Sequence, residues 1–120
     1  MNQDGTPLED HRDCQNVAVL GATGSIGTAT IDVVTQLNRI DPKFRWHVCA
    51  ASGHKNTQLL AELAGGLEQP PDRIVLSDKK NAEGSGADEV QLRALGSKIE
   101  FGPEALVSAA SDKSVDIVVA

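Results

Sequence analysis

The chain has 120 residues, of which 40% are hydrophobic and 23% charged, and its formal net charge is −6. This length suits one domain with a real core, but it is too short for a nucleotide-binding domain plus a substrate domain. Since no basic cluster is available to neutralise a phosphate backbone, we expect no nucleic-acid partner.

The spacing of the cysteines and the hydropathy of the sequence indicate the cellular compartment of the protein. Cys14 and Cys49 have neither metal-ligand nor CxxC spacing, so we expect no disulfide between them. Cys49 lies in an apolar stretch, where a small buried hydrophobe is expected. The sequence has no apolar segment of membrane-spanning length and no signal-peptide core. We therefore expect a cytoplasmic protein with no membrane partner.

The first elements in chain order are a tail, a strand and a helix. Residues 1–15 are mostly polar and predict a disordered tail, so the folded domain is expected to span 16–120. An apolar run predicts the first strand at 17–20, and the pattern at 25–40 predicts a helix that Pro42 ends. The predicted buried stripe of this helix consists of Ile26, Ala29, Val33, Leu37 and Ile40.

Strand and helix signals then alternate to the end of the chain. Further strands are predicted at 44–51, 73–77, 98–101 and 115–120. Helices are predicted between a cap at Asn56 or Thr57 and Gly65, at 87–95, and at 103–110. This alternation predicts a Rossmann-like, doubly wound α/β fold: a mostly parallel sheet with helices on both faces. The right-handed crossover rule places the first strand between the second and the last, with the strand at 98–101 on the far edge.

A glycine-rich run, GATGSIG at 21–27, joins the first strand to the first helix. Gly21 permits a tight turn, Gly24 lets an anion approach the backbone, and Gly27 lets the helix pack close to the sheet. The amides that open the helix lack intrahelical acceptors, and the helix dipole adds partial positive charge, so a pyrophosphate is held without a cationic side chain. The spacing is G-x-x-G-x-x-G rather than G-x-G-x-x-G, and its strand-to-helix context favours a dinucleotide phosphate cradle.

The loop after the second strand selects the dinucleotide. Enzymes that use NAD commonly place Asp or Glu there, against the ribose hydroxyl. Here the loop carries no carboxylate, which removes repulsion against a 2′-phosphate. Lys55 offers a cation, and Ser52, His54 and Asn56 offer hydrogen bonds. The residues therefore predict NADP rather than NAD.

Three motifs together point to a family: the glycine run, the segment TIDVV at 30–34, and the loop GHKN at 53–56 with its leucine-rich helix. Over 17–120 the sequence resembles the 1-deoxy-D-xylulose 5-phosphate reductoisomerases. That family isomerises 1-deoxy-D-xylulose 5-phosphate and reduces it with NADPH to 2-C-methyl-D-erythritol 4-phosphate, in isoprenoid precursor biosynthesis. The resemblance implies an NADP-dependent oxidoreductase that needs a divalent metal, Mg or Mn, and acts on a sugar phosphate as a full-length homodimer.

The resemblance also implies which residues bind the cofactor. After the tight turn at Gly21, the residues implied to contact the cofactor phosphates are Thr23, Gly24, Ser25 and Ile26. The residues implied to hold the adenosine ribose with its 2′-phosphate are Gly53, Lys55 and Asn56, with His54 in the same loop. Metal ligands and catalytic residues are implied to follow Ala120, so none is assigned here, and the 120 residues alone are expected to be inactive.

Two alternatives stay open at this point. One is another NADP-dependent oxidoreductase with the same turn, of the extended short-chain or the semialdehyde dehydrogenase type. The former would carry a Tyr-x-x-x-Lys pair and the latter a nucleophilic cysteine; this chain has no tyrosine. The other alternative is a non-catalytic nucleotide-binding module.

Overall fold

Five parallel strands form a single sheet in the computed structural model, which describes residues 14–54, 56–77 and 93–120. The elements are β1 (Cys14–Val19), α1 (Ser25–Ile40), β2 (Arg45–Gly53), α2 (Thr57–Gly65), β3 (Arg73–Leu76), β4 (Lys98–Phe101), α3 (Pro103–Ala110) and β5 (Ile117–Val119). The strand order is β4-β3-β2-β1-β5, and every neighbouring pair is parallel. The predicted fold class and strand order are confirmed. Within the described ranges, no helix combines the length and hydropathy needed to cross a bilayer.

Helices cover both faces of the sheet. On one face α1 and α2 pack over the central strands, and the buried cluster there includes Ile31, Val34, Leu60, Ala64, Val19, Val48 and Ile74. On the other face α3 packs through Ala109 against Ala18, Ala50 and Val75. The chain winds from β1 towards β4 and then returns past β1 to β5, and right-handed crossovers in opposite directions place their helices on opposite faces.

A β-bulge interrupts the pairing of β1 with β2. Val17 pairs with Val48, but the next residue, Ala18, pairs with Ala50, so Cys49 is the extra residue. Cys49 and Ala50 consequently both belong to the cluster under α3, whereas normal alternation would place them on opposite faces. The bulge therefore changes which face of the sheet each side chain after Cys49 in β2 occupies.

Several predicted boundaries need correction. β1 begins at Cys14, so Cys14 and Gln15 belong to the sheet rather than to the predicted tail, because their backbones pair with Arg45 and Trp46. Residues 1–13 lie outside the described residues. β2 continues to Gly53, two residues beyond its prediction, and β5 covers only part of the predicted 115–120. Most of the helix predicted at 87–95 also lies outside the described residues.

The bounds of α1 match their prediction, but its predicted buried stripe is wrong. The buried residues of α1 are Gly27, Ile31 and Val34, whereas Ile26 and Val33 are 64% and 53% exposed. Gly27 brings the first turn of the helix against the chain that precedes it, which directs the positions four and seven residues later towards the sheet. The remaining predicted residues are exposed or half-buried, and several line an apolar groove of about 470 Å³ between α1 and β5.

The two cysteines lie in contrasting environments. Both are free; Cys14 is exposed and Cys49 is buried, as predicted for Cys49. Burial, and to a lesser extent the negative charge of Asp72, raises the pKa of the Cys49 thiol to about 11. Because the thiolate is the reactive form, Cys49 is chemically inert in the folded protein.

Thiol labelling tests this burial. With excess Ellman's reagent at pH 8, Cys14 of the folded chain is expected to displace one equivalent of thionitrobenzoate rapidly, and Cys49 to displace the second only after unfolding in urea. Cys14→Ser should abolish the rapid phase. Rapid reaction of two thiols in the folded protein would contradict the buried position of Cys49.

Candidate functional site

The connection from β1 to α1 leaves the start of the helix open. Gly21 has φ +75°, and its carbonyl accepts a hydrogen bond from the Gly24 N–H at 3.0 Å. The first hydrogen bond at the start of α1 runs from the Thr28 N–H to the Gly24 carbonyl, at 2.9 Å. The amides of Ser25 and Ile26 therefore have no acceptor within the helix, and the N-cap residue, Gly24, provides no side-chain cap. Free donors and the positive end of a 16-residue helix thus meet at this turn.

Gly27 is required for the close approach of α1 to this turn. A Cβ atom added there would lie 2.3 Å from the Gly21 carbonyl oxygen and 2.6 Å from the Ala22 Cα. Backbone atoms cannot move aside as the end of a long side chain can, so a larger residue has to displace the turn or the helix. Gly27 does permit a close approach of α1, but its nearest contacts are with the turn rather than with the sheet as predicted.

Gly21 and Ser52 have roles within the protein. The Gly21 N–H donates to the Ser52 hydroxyl oxygen at 2.7 Å, and the Ala22 N–H donates to the Ser52 carbonyl at 2.7 Å. Gly21 therefore shapes the turn while its own N–H is engaged. We expected Ser52 to offer a hydrogen bond to the ribose; instead it is 4% exposed and bonded to the turn. The bulge in β2 cannot be read from the sequence, and neither can this inward position.

The loop after β2 lies beside the turn, at the same carboxyl edge of the sheet. The Gly53 carbonyl accepts a hydrogen bond from the Ser77 N–H at 2.9 Å, and the exposed His54 has its Nδ1 2.8 Å from the Ser77 hydroxyl. Asn56 caps α2, since its Oδ1 accepts from the Leu59 N–H at 3.0 Å. Lys55 lies outside the described residues. The structure thus brings the turn and the described part of the loop together at one edge.

Two supporting residues were missed in the sequence. Ser77 fixes the His54 ring from the end of β3, and the Thr28 hydroxyl donates to the Ala22 carbonyl at 3.2 Å, which braces the turn from within α1. The available signal was positional: Ser77 directly follows a strand that ends at the same edge as β1 and β2. Its identity alone gave no indication, because serine is common in loops.

A recess of about 710 Å³ borders the turn on its α2 side. Thr23, Gly24 and Ser25 line one end, and Asp32 and Glu62 contribute to the rest. The two carboxylates disfavour an anion deep in the recess, so the glycine-lined end is the part that suits a phosphate. Within the described ranges, no group of three or more His, Cys, Asp or Glu side chains is placed to hold a metal ion.

A cluster of paired charges lies at the opposite edge of the sheet. Arg73 opens β3, and its Nε donates to Glu100 at 2.7 Å while its Nη1 lies 3.3 Å from Asp112. The hydrogen bond from Arg73 lowers the pKa of Glu100. Arg73 lies at the amino end of β3 and pairs with both carboxylates, and we assign this cluster to the packing of α3 on the sheet.

The family model for 1-deoxy-D-xylulose 5-phosphate reductoisomerase matches residues 17–120. The chain belongs to this family. Its relatives include the reductoisomerase of Rhodopirellula baltica, 44% identical over 117 residues, which cover 92% of this chain and 26% of that protein. The Cellvibrio japonicus reductoisomerase is 37% identical over 108 residues, which cover 88% of this chain and 25% of that protein. The chain therefore spans about a quarter of the length of these relatives.

Solved structures of the family share this fold. A reductoisomerase in complex with NADPH, fosmidomycin and magnesium matches with a TM-score of 0.69 and 34% identity, over 87% of this chain and 23% of that one. The Zymomonas mobilis reductoisomerase in complex with NADPH matches with a TM-score of 0.63 and 26% identity, over 83% and 24%. The family match removes the short-chain and semialdehyde dehydrogenase alternatives.

A glycine-to-alanine comparison tests the close approach of α1. Gly27→Ala places a methyl group against backbone atoms, and we expect it to lower the free energy of unfolding by about 2 kcal/mol or more despite the better helix propensity of alanine. Gly65→Ala is the matched control, because no atom lies within 4 Å of the added Cβ, and it should be neutral or slightly stabilising. Urea unfolding followed by circular dichroism measures both. Equal stability of the two variants would contradict the described contact.

Proposed function

We propose that this chain is the NADPH-binding part of a 1-deoxy-D-xylulose 5-phosphate reductoisomerase. The observation that carries the proposal is the open start of α1 behind a glycine turn, in a chain of a family whose solved structures include complexes with NADPH. The parent enzyme would isomerise and reduce 1-deoxy-D-xylulose 5-phosphate to 2-C-methyl-D-erythritol 4-phosphate for isoprenoid precursor synthesis.

In this proposal the cofactor diphosphate binds at the turn. The amides of Ser25 and Ile26 donate to its oxygens, Thr23 lines the approach, and Gly24 keeps the space free of a side chain. A Cβ on Gly24 would lie 3.4 Å from the Gly21 carbonyl, so a larger side chain would crowd the turn on the ligand side. The formal charge of −6 makes local donors necessary, because the chain as a whole repels an anion.

The adenosine ribose and its 2′-phosphate bind, in this proposal, at the loop 53–56. Gly53 ends β2 beside the turn, and His54 is anchored on Ser77. The cap on α2 engages only Oδ1 of Asn56, so its Nδ2 group is the proposed donor to the ribose or phosphate. Lys55, known here from the sequence alone, supplies the proposed positive charge.

The remaining parts of the activity are proposed for the full-length protein. The divalent metal, the catalytic residues and the sugar phosphate site would belong to the parts of the relatives that this chain does not match. The full-length enzyme would be a cytoplasmic homodimer. The chain of 120 residues would bind NADPH without turning over the substrate.

Calorimetric titration of the chain with NADPH and NADH tests this proposal. We expect tighter binding of NADPH, and Lys55→Ala should weaken NADPH binding by about ten- to a hundredfold, since a charge-assisted hydrogen bond contributes roughly 1.5–3 kcal/mol. NADH lacks the 2′-phosphate, so its affinity should change little. Lys43→Ala is the matched control, because Lys43 is exposed and precedes β2, at the opposite edge of the sheet.

A second variant separates the two halves of the site. Gly24→Val should weaken NADPH and NADH equally, because both carry the diphosphate. Absence of NADPH binding by the unaltered chain would refute the proposal. Equal losses from Lys43→Ala and Lys55→Ala would refute the assignment of Lys55.

A further inference from the structure

Ser52 connects the two halves of the proposed cofactor site. Its hydroxyl oxygen accepts the Gly21 N–H and its carbonyl accepts the Ala22 N–H, each at 2.7 Å. One residue of β2 thus binds two successive amides of the turn that follows β1. Ser52 is 4% exposed and Ala22 is fully buried, whereas Gly21 is exposed, so the bond to the Ser52 hydroxyl is only partly shielded from water.

The hydrogen bonds extend from Ser52 in both directions. Towards α1, Gly21 accepts the Gly24 N–H, and Gly24 accepts the Thr28 N–H, so the bonds reach the first turn of the helix. Towards the loop, the next residue is Gly53, whose carbonyl accepts the Ser77 N–H. The orientation of the Ser25 and Ile26 amides therefore depends on a contact that Ser52 makes directly before the loop 53–56.

We propose that Ser52 is a positioning residue: it fixes the position of the diphosphate-binding turn relative to the loop 53–56 without touching the cofactor. The proposal rests on the proposed function for the identity of the ligand, although the two hydrogen bonds between Ser52 and the turn do not depend on it. Removing the hydroxyl leaves the Gly21 N–H without its part-buried acceptor, which favours other conformations of the turn. The cofactor then has to order the turn as it binds, and its affinity falls.

Ser52→Ala tests the proposal by a pattern of affinities. We expect NADPH and NADH to lose affinity by the same factor, about three- to tenfold, because the diphosphate is common to both. Lys55→Ala, in contrast, should affect mainly NADPH. Ser97→Ala is the matched control: Ser97 is 8% exposed and its hydroxyl donates to the Pro71 carbonyl at 2.6 Å, at the amino edge of the sheet. It removes a side-chain-to-backbone hydrogen bond that is more deeply buried than that of Ser52, and it should leave both affinities unchanged.

Amide hydrogen exchange measured by NMR tests the hydrogen bond between Ser52 and the turn without a cofactor. In the free protein the Gly21 amide should be protected from exchange, while the Ser25 and Ile26 amides exchange rapidly. Ser52→Ala should speed exchange at Gly21, and Ser97→Ala should not. Rapid exchange at Gly21 in the unaltered protein would contradict the hydrogen bond from Gly21 to Ser52 and overturn the proposal.

Together, the affinity and exchange results distinguish failure of the positioning role of Ser52 from failure of the proposed function. Faster exchange at Gly21 in Ser52→Ala with unchanged cofactor affinity would overturn the positioning role. Equal losses of affinity in the Ser52 and Ser97 variants would assign the effect to stability and also overturn it. Failure of the unaltered chain to bind either dinucleotide would refute the proposed function instead, and exchange at Gly21 would still decide whether Ser52 holds the turn.

Discussion

The close contact between the start of α1 and the backbone of the preceding turn determines which hydrogen-bond donors this edge of the sheet presents. Gly27 permits that contact, and a positive φ at Gly21 reverses the chain within a few residues of β1. Together they present the unpaired amides of the helix at the carboxyl edge of the sheet. A helix that began further from the strand would carry the same dipole, but its donors would not face the crevice between the two halves of a doubly wound sheet.

The two edges of the sheet divide the polar chemistry between them. At the amino edge, Arg73 is paired with carboxylates, and the mutual attraction of these groups lowers the pKa of Glu100. At the carboxyl edge, the start of α1 offers donors that have no partner within the helix, in a turn without charged side chains. Since the chain as a whole is acidic, these local donors are the feature of the described carboxyl edge that favours an anionic ligand.

Local patterns predicted the architecture well, because each depends on short-range chemistry. The bounds of α1, the cap at Asn56 and the strand order follow from turn residues, periodicity and crossover handedness. The buried face of α1 could not be predicted, because Gly27 rather than an apolar side chain sets the rotation of the helix. The bulge at Cys49 and the inward position of Ser52 depend on pairing with β1, which leaves no mark on the sequence of β2.

An NMR titration with NADPH, read at the backbone amides, tests the central claim most directly. If the start of α1 holds the diphosphate, the largest shifts should fall on Ser25 and Ile26, with a second group in the loop 53–56. NADH should reproduce the first group and weaken the second. Shifts confined to Val33, Ile117 and Val119, in the apolar groove between α1 and β5, with Ser25 and Ile26 unmoved, would contradict the account.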